Sequence, residues 1–341
     1  MHTFQEGTMK HLQWGLLAAG NIAGRFARGL SSTDEATAVA VASRSLDKAQ
    51  AFAKEHSIER AYGSYEELLA DPDVDAVYIS TPNDSHALWS IRCAEAGKHI
   101  LCEKPVTLNE AELVAVVDAV RKSDVFFMEA FMYRCHPQWK RLLELLAVGT
   151  IGEVRLLESS FSFNMGYQPL NIRNSYAMGG GGLMDVGVYC VSFSRLIAGE
   201  EPVDCKAVGS ISPEFGVDEL AAGVLRFPSG ICAHFPCGTR CGVPSQAVIY
   251  GTEGSISVAS PWFPDDSSAK LIVNKGSGTE VIDITYGRDL YANEALTVAE
   301  HLDARQAPRP AMSWDDSLGQ VRTIDALRAS MGLVWECEKG Q

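Results

Sequence analysis

The feature that most constrains the fold is a regular alternation of apolar runs and amphipathic stretches over residues 12–127. Strand-like runs are predicted at residues 12–18, 36–43, 76–80, 99–102 and 125–128. Helices are predicted to begin near Ile22, Leu46, Ser64, Ser85 and Asn109, and capping-box spacings start at Ser64 and Thr107. Because parallel strands need a crossover between them, this alternation indicates a doubly wound parallel sheet with helices on its faces.

A candidate phosphate-binding turn follows the first predicted strand. The segment Ala18-Ala-Gly20-Asn-Ile-Ala23 has the GxGxxG/A spacing, with alanine in the place of the first glycine. Gly20 lets the backbone approach a pyrophosphate, and Ala23 allows close packing of helix on strand. The helix N-terminus offers free N–H groups and a positive dipole end to the phosphates. The turn predicts dinucleotide binding, while a purely structural strand-to-helix turn is the alternative interpretation.

The end of the second predicted strand bears on the choice of cofactor. NAD-specific proteins carry Asp or Glu there to hold the ribose hydroxyls, whereas this chain has Ser43-Arg44-Ser45. Loss of the acid removes repulsion of a 2'-phosphate, and a guanidinium flanked by hydroxyls can bind that group. The sequence therefore predicts NADP(H), with NAD(H) as the alternative if Arg44 is only a solvated loop residue.

After residue 128 the pattern changes to longer strand-like segments separated by Gly, Pro, Asn and Asp. Helices are predicted at residues 137–148 and 186–197. Strands are predicted at residues 154–163, 204–211, 216–227, 230–238, 246–250, 255–258, 270–274 and 279–284. Such a run indicates an α+β domain with a large, mostly antiparallel open sheet.

These patterns predict a division of the chain. A length of 341 residues favours about two domains. We expect a disordered leader at residues 1–10, a Rossmann domain that binds NADP at 11–128 and a substrate and dimerisation domain at 129–313. Residues 314–341 are expected to form a C-terminal helix that packs back on the Rossmann domain.

Charge and cysteine content exclude several classes of function. A formal net charge of -14 opposes general binding to nucleic acid or to an anionic membrane. The first ten residues lack the apolar stretch of a signal peptide, so we expect a cytoplasmic protein. The nine cysteines include no CxxC pair, and no His or second Cys pair completes a zinc site with Cys237 and Cys241. Free thiols and no metal site are therefore expected.

Two further segments carry residues that could perform chemistry. Cys102-Glu-Lys-Pro105 ends a predicted strand, where ligands of open α/β sheets bind, so Lys104 would face the nicotinamide end of the cofactor. Four consecutive glycines precede Asp185 and Tyr189, which are four residues apart and share one helix face. A lysine ammonium close to a tyrosine would lower the tyrosine pKa toward a useful range. The structural alternatives are a strand-capping lysine and a core tyrosine.

In combination these motifs resemble the glucose-fructose oxidoreductase, inositol dehydrogenase and rhizopine-catabolism (Gfo/Idh/MocA) family, from residue 12 to about residue 336. The matching motifs are the turn at 18–23, Ser80-Thr-Pro-Asn83 with His86, the segment 97–105 and the glycine run ending at Tyr189. Residues 127–137 are most similar to the branch of dimeric dihydrodiol dehydrogenases, xylose dehydrogenases and glucose-fructose oxidoreductase. Alanine at position 18 and the Asn-rich stretch 164–177, which lines the pocket in relatives, are the departures.

The resemblance implies roles for particular residues. Lys104, Asp185 and Tyr189 would be catalytic, with Tyr189 as the proton donor or acceptor and Asp185 orienting the substrate. Arg173 would contact substrate together with Asp185 and Tyr189. The turn and the resemblance together imply a cofactor-binding set: Ala18, Gly20, Asn21, Ile22, Ser43, Arg44, Thr81, Pro82, Asn83, His86, Glu103, Lys104, Glu129 and Ala130. His136, His234 and His301 are expected to be structural.

The function implied is hydride transfer between NADP(H) and a secondary alcohol or carbonyl of a sugar, polyol or cyclic trans-diol. A homo-oligomer, dimer or tetramer, is expected through the C-terminal sheet. Two other functions stay open from the sequence. One is a glycosidase that uses tightly bound NAD in a redox cycle, without net reduction of free cofactor. The other is a catalytically silent NADP sensor, which would have no use for Lys104 and Tyr189 together.

Overall fold

The computed structural model describes residues 10–339, so the predicted leader lies outside the described residues except for Lys10. A six-stranded, fully parallel sheet forms first, in the order β3-β2-β1-β4-β5-β6. Its strands are β1 (Leu12–Leu17), β2 (Ala36–Ala42), β3 (Arg60–Tyr62), β4 (Ala76–Ile79), β5 (His99–Glu103) and β6 (Phe127–Ala130). The central strands are apolar and buried on both faces, as expected for strands covered by helices on either side. The predicted Rossmann sheet is confirmed, although the short strand β3 was not predicted.

Five helices connect these strands. They are α1 (Asn21–Ser31), α2 (Leu46–His56), α3 (Tyr65–Leu69), α4 (His86–Glu95) and α5 (Glu110–Ser123). The Ser64 side chain caps α3 by accepting from the Glu67 amide, as the spacing predicts. The predicted cap at Thr107 is wrong, because the Asn109 side chain accepts from the Glu112 amide and starts α5.

The second sheet has eight strands in the order β14-β13-β12-β11-β7-β10-β9-β8. Its strands are β7 (Val154–Ser162), β8 (Asp204–Ile211), β9 (Asp218–Arg226), β10 (Cys232–Gly238), β11 (Gln246–Gly251), β12 (Gly254–Val258), β13 (Lys270–Lys275) and β14 (Gly278–Asp283). Neighbouring strands pair antiparallel except β7 and β10, which pair parallel. The predicted large, mostly antiparallel sheet is therefore confirmed.

Four helices follow the parallel sheet in sequence. They are α6 (Pro137–Ala147), α7 (Val188–Ala198), α8 (Leu290–Glu300) and α9 (Trp314–Ser330). One of them, α8, packs against α1 and β2 of the parallel sheet's layer. Helix α8 was not predicted because most of it is buried, including Asn293 and Glu294, so it has no polar face to reveal its period. One side of the second sheet leaves Val208, Leu220 and Val224 exposed. Assembly through this apolar face stays a prediction.

Helix α9 contacts elements of both sheets. Trp314 Nε1 donates to the backbone oxygen of Phe127 at the edge of the parallel sheet, at 3.1 Å. Gln320 Nε2 donates to the backbone oxygen of Val188, the first residue of α7, at 2.7 Å. Helix α9 therefore fixes the parallel sheet relative to α7 on the other side of the molecule. Within residues 10–339, no helix is long and apolar enough to cross a membrane.

The last turn of α9 is held by a nearly buried guanidinium, which gives a stability prediction. The Arg328 side chain is 2% exposed and bonds to Asp325 and Glu338, each at 2.6 Å. Replacing Arg328 with Met leaves both carboxylates without their partner. We expect the free energy of unfolding to fall by about 3 kcal/mol, the low end for breaking a buried pair, because the carboxylates keep some exposure.

Urea unfolding followed by circular dichroism measures this change, and Arg322→Met is the matched control on the same helix. Arg322 pairs with Glu110 at 2.7 Å, but its side chain is 58% exposed. Exposed pairs contribute less than about 1 kcal/mol, so the control should be nearly neutral. Equal losses in the two variants would show that burial does not decide the strength of the Arg328 contacts.

Candidate active site

A crevice of about 810 Å³ lies at the carboxyl ends of the parallel strands and takes its walls from both sheets. The parallel sheet and its helices contribute Gly20, Asn21, Ile22, Arg25, Ser80, Thr81, Asn83, His86, Glu103 and Lys104. The rest of the chain contributes Met132, Phe161, Phe163, Ile172, Arg173, Asp185, Val186, Tyr189, Phe263 and Tyr291. This is the position at which open α/β sheets bind their ligands.

The turn after β1 fits a pyrophosphate group. Gly20 is the N-cap of α1 and provides no side-chain cap, so the first N–H groups of the helix stay available. A Cβ atom at Gly20 would meet nothing within 4 Å, which leaves space for a ligand against the backbone. Ala18 has φ +83°, the left-handed conformation that explains a glycine preference at this position. Gly20, Asn21 and Ile22 line the crevice, whereas Ala18 shapes the turn.

The residues predicted to select the cofactor lie outside the crevice lining. Ser43 and Arg44 directly follow β2, which is the neighbour of β1 in the sheet. Ser43 is buried and its hydroxyl accepts from the Ser45 amide at 3.4 Å, while Arg44 is exposed. Arg44 therefore follows the carboxyl end of the strand beside β1, whose own carboxyl end leads into the phosphate-binding turn.

The segment after β4 contributes to the crevice in part. Thr81 and Asn83 line it, Pro82 does not, and Asn83 Nδ2 donates to the Gly179 oxygen at 2.9 Å. His86 also lines the crevice but is almost wholly buried, and its ring nitrogens lie 2.8 Å from the backbone oxygens of Thr81 and Pro105. Burial lowers the pKa of His86, although these two contacts oppose the shift. His86 thus ties two loops of the crevice together.

Glu129 and Ala130 are buried and do not belong to the crevice lining, which differs from the predicted contact with cofactor. The Glu129 carboxyl accepts from the Val106 amide at 3.1 Å and from the Ser317 hydroxyl at 2.8 Å. Burial raises the pKa of Glu129 to about 7. Glu129 therefore connects the segment after Lys104 to α9 and supports the site from behind.

Three charged side chains meet at Asp185. Lys104 Nζ donates to the Asp185 backbone oxygen at 2.7 Å and to its carboxylate Oδ1 at 3.2 Å. Arg173 Nε donates to the other carboxylate oxygen at 2.5 Å. Burial alone would raise the pKa of Asp185, but Lys104 and Arg173 outweigh it and hold the pKa below its ordinary value. Asp185 is thus an ionised acceptor at the crevice surface.

Tyr189 lies next to this group with its hydroxyl weakly engaged. Within residues 10–339, the hydroxyl contacts the sulfur of Met132 at 3.5 Å, a weak acceptor. Burial, followed by the charge of Glu103, raises the pKa of Tyr189 well above its ordinary value. Lys104 Nζ stands 5.3 Å from the ring centroid, over the ring face, and bonds to Asp185. In this arrangement the net pKa of Tyr189 is therefore raised, although Lys104 was expected to lower it.

Close backbone packing explains the glycine run. A Cβ atom at Gly180 would lie 2.5 Å from the Arg173 oxygen, and one at Gly182 would lie 2.7 Å from the Gly238 Cα. Gly181 has φ +108°, and its Cβ would lie 2.2 Å from a carboxylate oxygen of Asp218. The run passes into a π turn, Leu183–Gly187, and then into α7. Asp185 and Tyr189 consequently face the same crevice, as predicted.

Several crevice residues were missed by the sequence reasoning. They are Arg25, Ser80, Met132, Phe161, Phe163, Val186, Phe263 and Tyr291. Five are apolar, and of these Phe161, Phe163 and Phe263 belong to no motif, while Tyr291 lies on the unpredicted helix α8. Phe161 and Phe163 could have been found from their alternation at the end of β7, beside the Asn-rich stretch that contributes Ile172 and Arg173. Among residues 10–339, no three His, Cys, Asp or Glu side chains are placed to hold a metal ion.

Comparison with known proteins identifies the class and then the family. The model of an oxidoreductase family with an NAD-binding Rossmann fold matches residues 12–131. The model of the GFO/IDH/MocA C-terminal domain matches residues 139–257. The chain belongs to the GFO/IDH/MocA oxidoreductase family.

Named relatives and solved structures agree with this assignment. The chain is 37% identical to trans-1,2-dihydrobenzene-1,2-diol dehydrogenase of Mus musculus over 338 residues, 96% of this chain and 99% of the relative. An uncharacterised oxidoreductase of Rhizobium meliloti is 38% identical over 297 residues, 86% of this chain and 88% of the relative.

Among solved structures, a 3-ketoreductase from Actinomadura kijaniata, in complex with NADP and TDP-benzene, has a TM-score of 0.87 at 27% identity. The match covers 94% of this chain and 98% of that one. An aldose-aldose oxidoreductase from Caulobacter crescentus, complexed with glycerol, has a TM-score of 0.85 at 26% identity, covering 94% and 97%. The fold and family thus extend over both sheets.

Proposed function

We propose that the protein interconverts a secondary alcohol and its carbonyl with NADP(H), that Tyr189 transfers the proton, and that the substrate is a cyclic trans-diol. The observation that carries the proposal is the convergence of Tyr189, Asp185 and Lys104 in one crevice with an uncapped helix N-terminus. When bound, the dinucleotide supplies the hydride donor or acceptor at its nicotinamide ring. The protein residues supply orientation and the proton.

The charges at the crevice suit Tyr189 to proton donation. The raised pKa keeps its phenol protonated at neutral pH, so it can donate to the oxygen of a carbonyl substrate. Asp185, held ionised by Lys104 and Arg173, can accept a hydrogen bond from a neighbouring substrate hydroxyl. Two adjacent oxygens on one substrate would satisfy both residues, which supports a vicinal diol or its ketone.

The walls that lie outside the parallel sheet favour a substrate whose body is apolar. Besides Ile22 of the phosphate-binding turn, six apolar side chains line the crevice: Met132, Phe161, Phe163, Ile172, Val186 and Phe263. A sugar carries hydroxyls around its ring, and most of these would lose hydrogen bonds to water against such walls. A ring with one diol edge and an apolar remainder matches the lining. The dihydrodiol dehydrogenase relatives, named for a diol of this shape, add support.

A substrate panel tests this proposal. We expect the protein to reduce NADP+ with trans-1,2-dihydrobenzene-1,2-diol at a kcat/KM at least about 10-fold above that with D-xylose, D-glucose or myo-inositol, because one mismatched polar group costs about 1.4 kcal/mol or more. Absorbance of the reduced cofactor gives the rates. A preference for an aldose would refute the substrate class, and no net reduction with any alcohol would favour a redox-cycle glycosidase or a sensor.

A tyrosine substitution tests the proton role. Tyr189→Phe keeps the ring and removes the hydroxyl, so kcat should fall by about 10² to 10⁴ while NADP(H) affinity stays within about twofold. Because the pKa of Tyr189 is raised, wild-type alcohol oxidation should accelerate as pH rises from about 8 to about 10, whereas carbonyl reduction should stay flat over that range. The variant should lose the pH-dependent rise.

Tyr133→Phe is the matched control for this substitution. The Tyr133 ring lies 5.7 Å from the Tyr189 ring, but its hydroxyl donates to buried Ser192 at 2.8 Å, away from the crevice lining. Its kcat should stay within about threefold of the wild type, since only a structural bond is lost. If Tyr189→Phe retained more than about a third of wild-type kcat, another group would move the proton.

Cofactor choice is tested at Arg44, which is exposed after β2 where NAD-specific chains carry an acid. Arg44→Ala should weaken NADP(H) binding by about 1.5 to 3 kcal/mol and leave NAD(H) nearly unchanged, because only NADP carries the 2'-phosphate. Fluorescence titration of both reduced cofactors measures this. Arg28→Ala, at the exposed far end of α1, is the control. Equal weakening of both cofactors by Arg44→Ala would contradict a phosphate contact.

A further inference from the structure

A buried carboxyl lies behind the helix start that carries the proposed catalytic residues. Asp218, the first residue of β9, is 0% exposed. Its Oδ2 accepts from the Leu183 amide at 2.7 Å, within the range of a charge-assisted bond. Its Oδ1 fills the space beside Gly181 that a Cβ would otherwise occupy. The carboxyl therefore holds the junction between the glycine run and the π turn.

The position of this junction matters because the residues proposed for catalysis come directly after it. Asp185 is two residues after Leu183, and Tyr189 lies one turn further along the helix. Both line the crevice, whereas Asp218 does not. A shift of the Leu183 backbone would move the Asp185 carboxylate away from Lys104 and Arg173, and it would move the Tyr189 hydroxyl with it. Misplacement by about 1 Å at such a site costs up to about 10²-fold in rate.

We propose that Asp218 is a positioning residue: its carboxylate binds the backbone at the start of the helix that carries Asp185 and Tyr189, and so sets their place in the crevice. The inference rests on the proposed function and deepens it. Asp218 acts through the backbone and does not touch the reacting atoms.

The surroundings of Asp218 make its bond to the Leu183 amide sensitive to pH. Burial raises the pKa of Asp218 to about 7, and the backbone N–H groups of Leu183, Gly182 and Asp218 itself oppose the rise. The titratable neighbour is the buried Cys237 thiol on β10, whose pKa burial and Asp218 raise well above its ordinary value. Across the π turn stand Asp185, Lys104 and Arg173, which are occupied with one another. Within this group, Asp218 is therefore the residue whose ionisation changes near neutral pH.

Ionisation of Asp218 strengthens its bond to the Leu183 amide but lowers the stability of the fold. The carboxylate binds amides more strongly than the neutral acid does, so the hold on Leu183 tightens as pH rises through about 7. The folded pKa lies above the ordinary value, so ionisation is less favourable in the folded than in the unfolded state. The contribution of Asp218 to stability consequently falls between about pH 4 and pH 7 and is constant above that window.

The experiment compares Asp218→Asn and Asp218→Ala with Glu219→Gln as the control. Glu219 is the next residue on the same strand and pairs with Arg240 at 3.6 Å. Asp218→Asn should lower kcat about 10-fold at about pH 8, the effect of one lost charge-assisted bond, with NADP(H) affinity within about twofold of the wild type. In carbonyl reduction, where Tyr189 adds no pH dependence, the wild-type rise in kcat between about pH 6 and pH 8 should be absent from this variant, and Glu219→Gln should retain it.

Amide hydrogen exchange supplies a measurement that does not need activity. Asp218→Ala should increase exchange of peptides containing Leu183 about 10-fold or more at about pH 8, because the acceptor of that amide is gone. Asp218→Asn should show a smaller fall in stability than the wild type between about pH 4 and pH 7, because only the contribution of Glu129 is kept, and should be the more stable protein at about pH 8.

Unchanged exchange at Leu183 in Asp218→Ala would overturn the proposal whatever the activity. A rise in the kcat of carbonyl reduction between about pH 6 and pH 8 that persists in Asp218→Asn would also overturn it, and would assign that titration to Glu129. If the wild type oxidises no alcohol, the proposed function fails, and the exchange measurement still decides the role of Asp218.

Discussion

The interaction on which the site depends is the ion triad at Asp185. Lys104 belongs to the carboxyl end of the parallel sheet, Arg173 to the loop before the glycine run, and Asp185 to the π turn before α7. Lys104 and Asp185 are only 13% and 14% exposed, so their attraction is far less screened than that of a surface pair. Removing one partner would leave charge without compensation in a low-dielectric crevice, at a cost of about 3 to 5 kcal/mol. The triad therefore joins the two sheets at the place where chemistry is proposed.

The triad can hold its geometry because the segments of Lys104 and Asp185 are each fixed from behind by a buried carboxyl. Glu129 binds the Val106 amide after Lys104, and Asp218 binds the Leu183 amide before Asp185. Both carboxyls have pKa values raised by burial to about 7. Buried acids of this kind cost folding free energy, and they persist where backbone amides must be satisfied away from water. The two buried carboxyls thus hold the backbone at the crevice but lower the stability of the fold.

Local sequence patterns predict part of this arrangement. Strand and helix periodicity predicts the parallel sheet, and the spacing of Asp185 and Tyr189 after four glycines predicts their shared face. The role of Glu129 could not be read in this way, because an acid in an apolar strand looks the same whether it meets ligand or a buried amide. Helix α8 and its crevice residue Tyr291 were missed because burial on nearly all sides removes the amphipathic signal. In each of these cases the outcome depends on burial in the folded chain, which the local sequence does not show.

The protonation of Tyr189 follows from how its ring is held. Phe131, Phe161 and Trp262 pack edge-on against it, with centroids 5.1 to 5.8 Å away. This packing restricts the ring, but it also excludes water that would stabilise a phenolate, and Glu103 adds negative charge nearby. Lys104 does not reverse this shift, and Asp185 holds its ammonium over the ring face rather than at the hydroxyl. The same contacts that make the site rigid therefore keep Tyr189 protonated, and at neutral pH they favour donation of a proton over its removal.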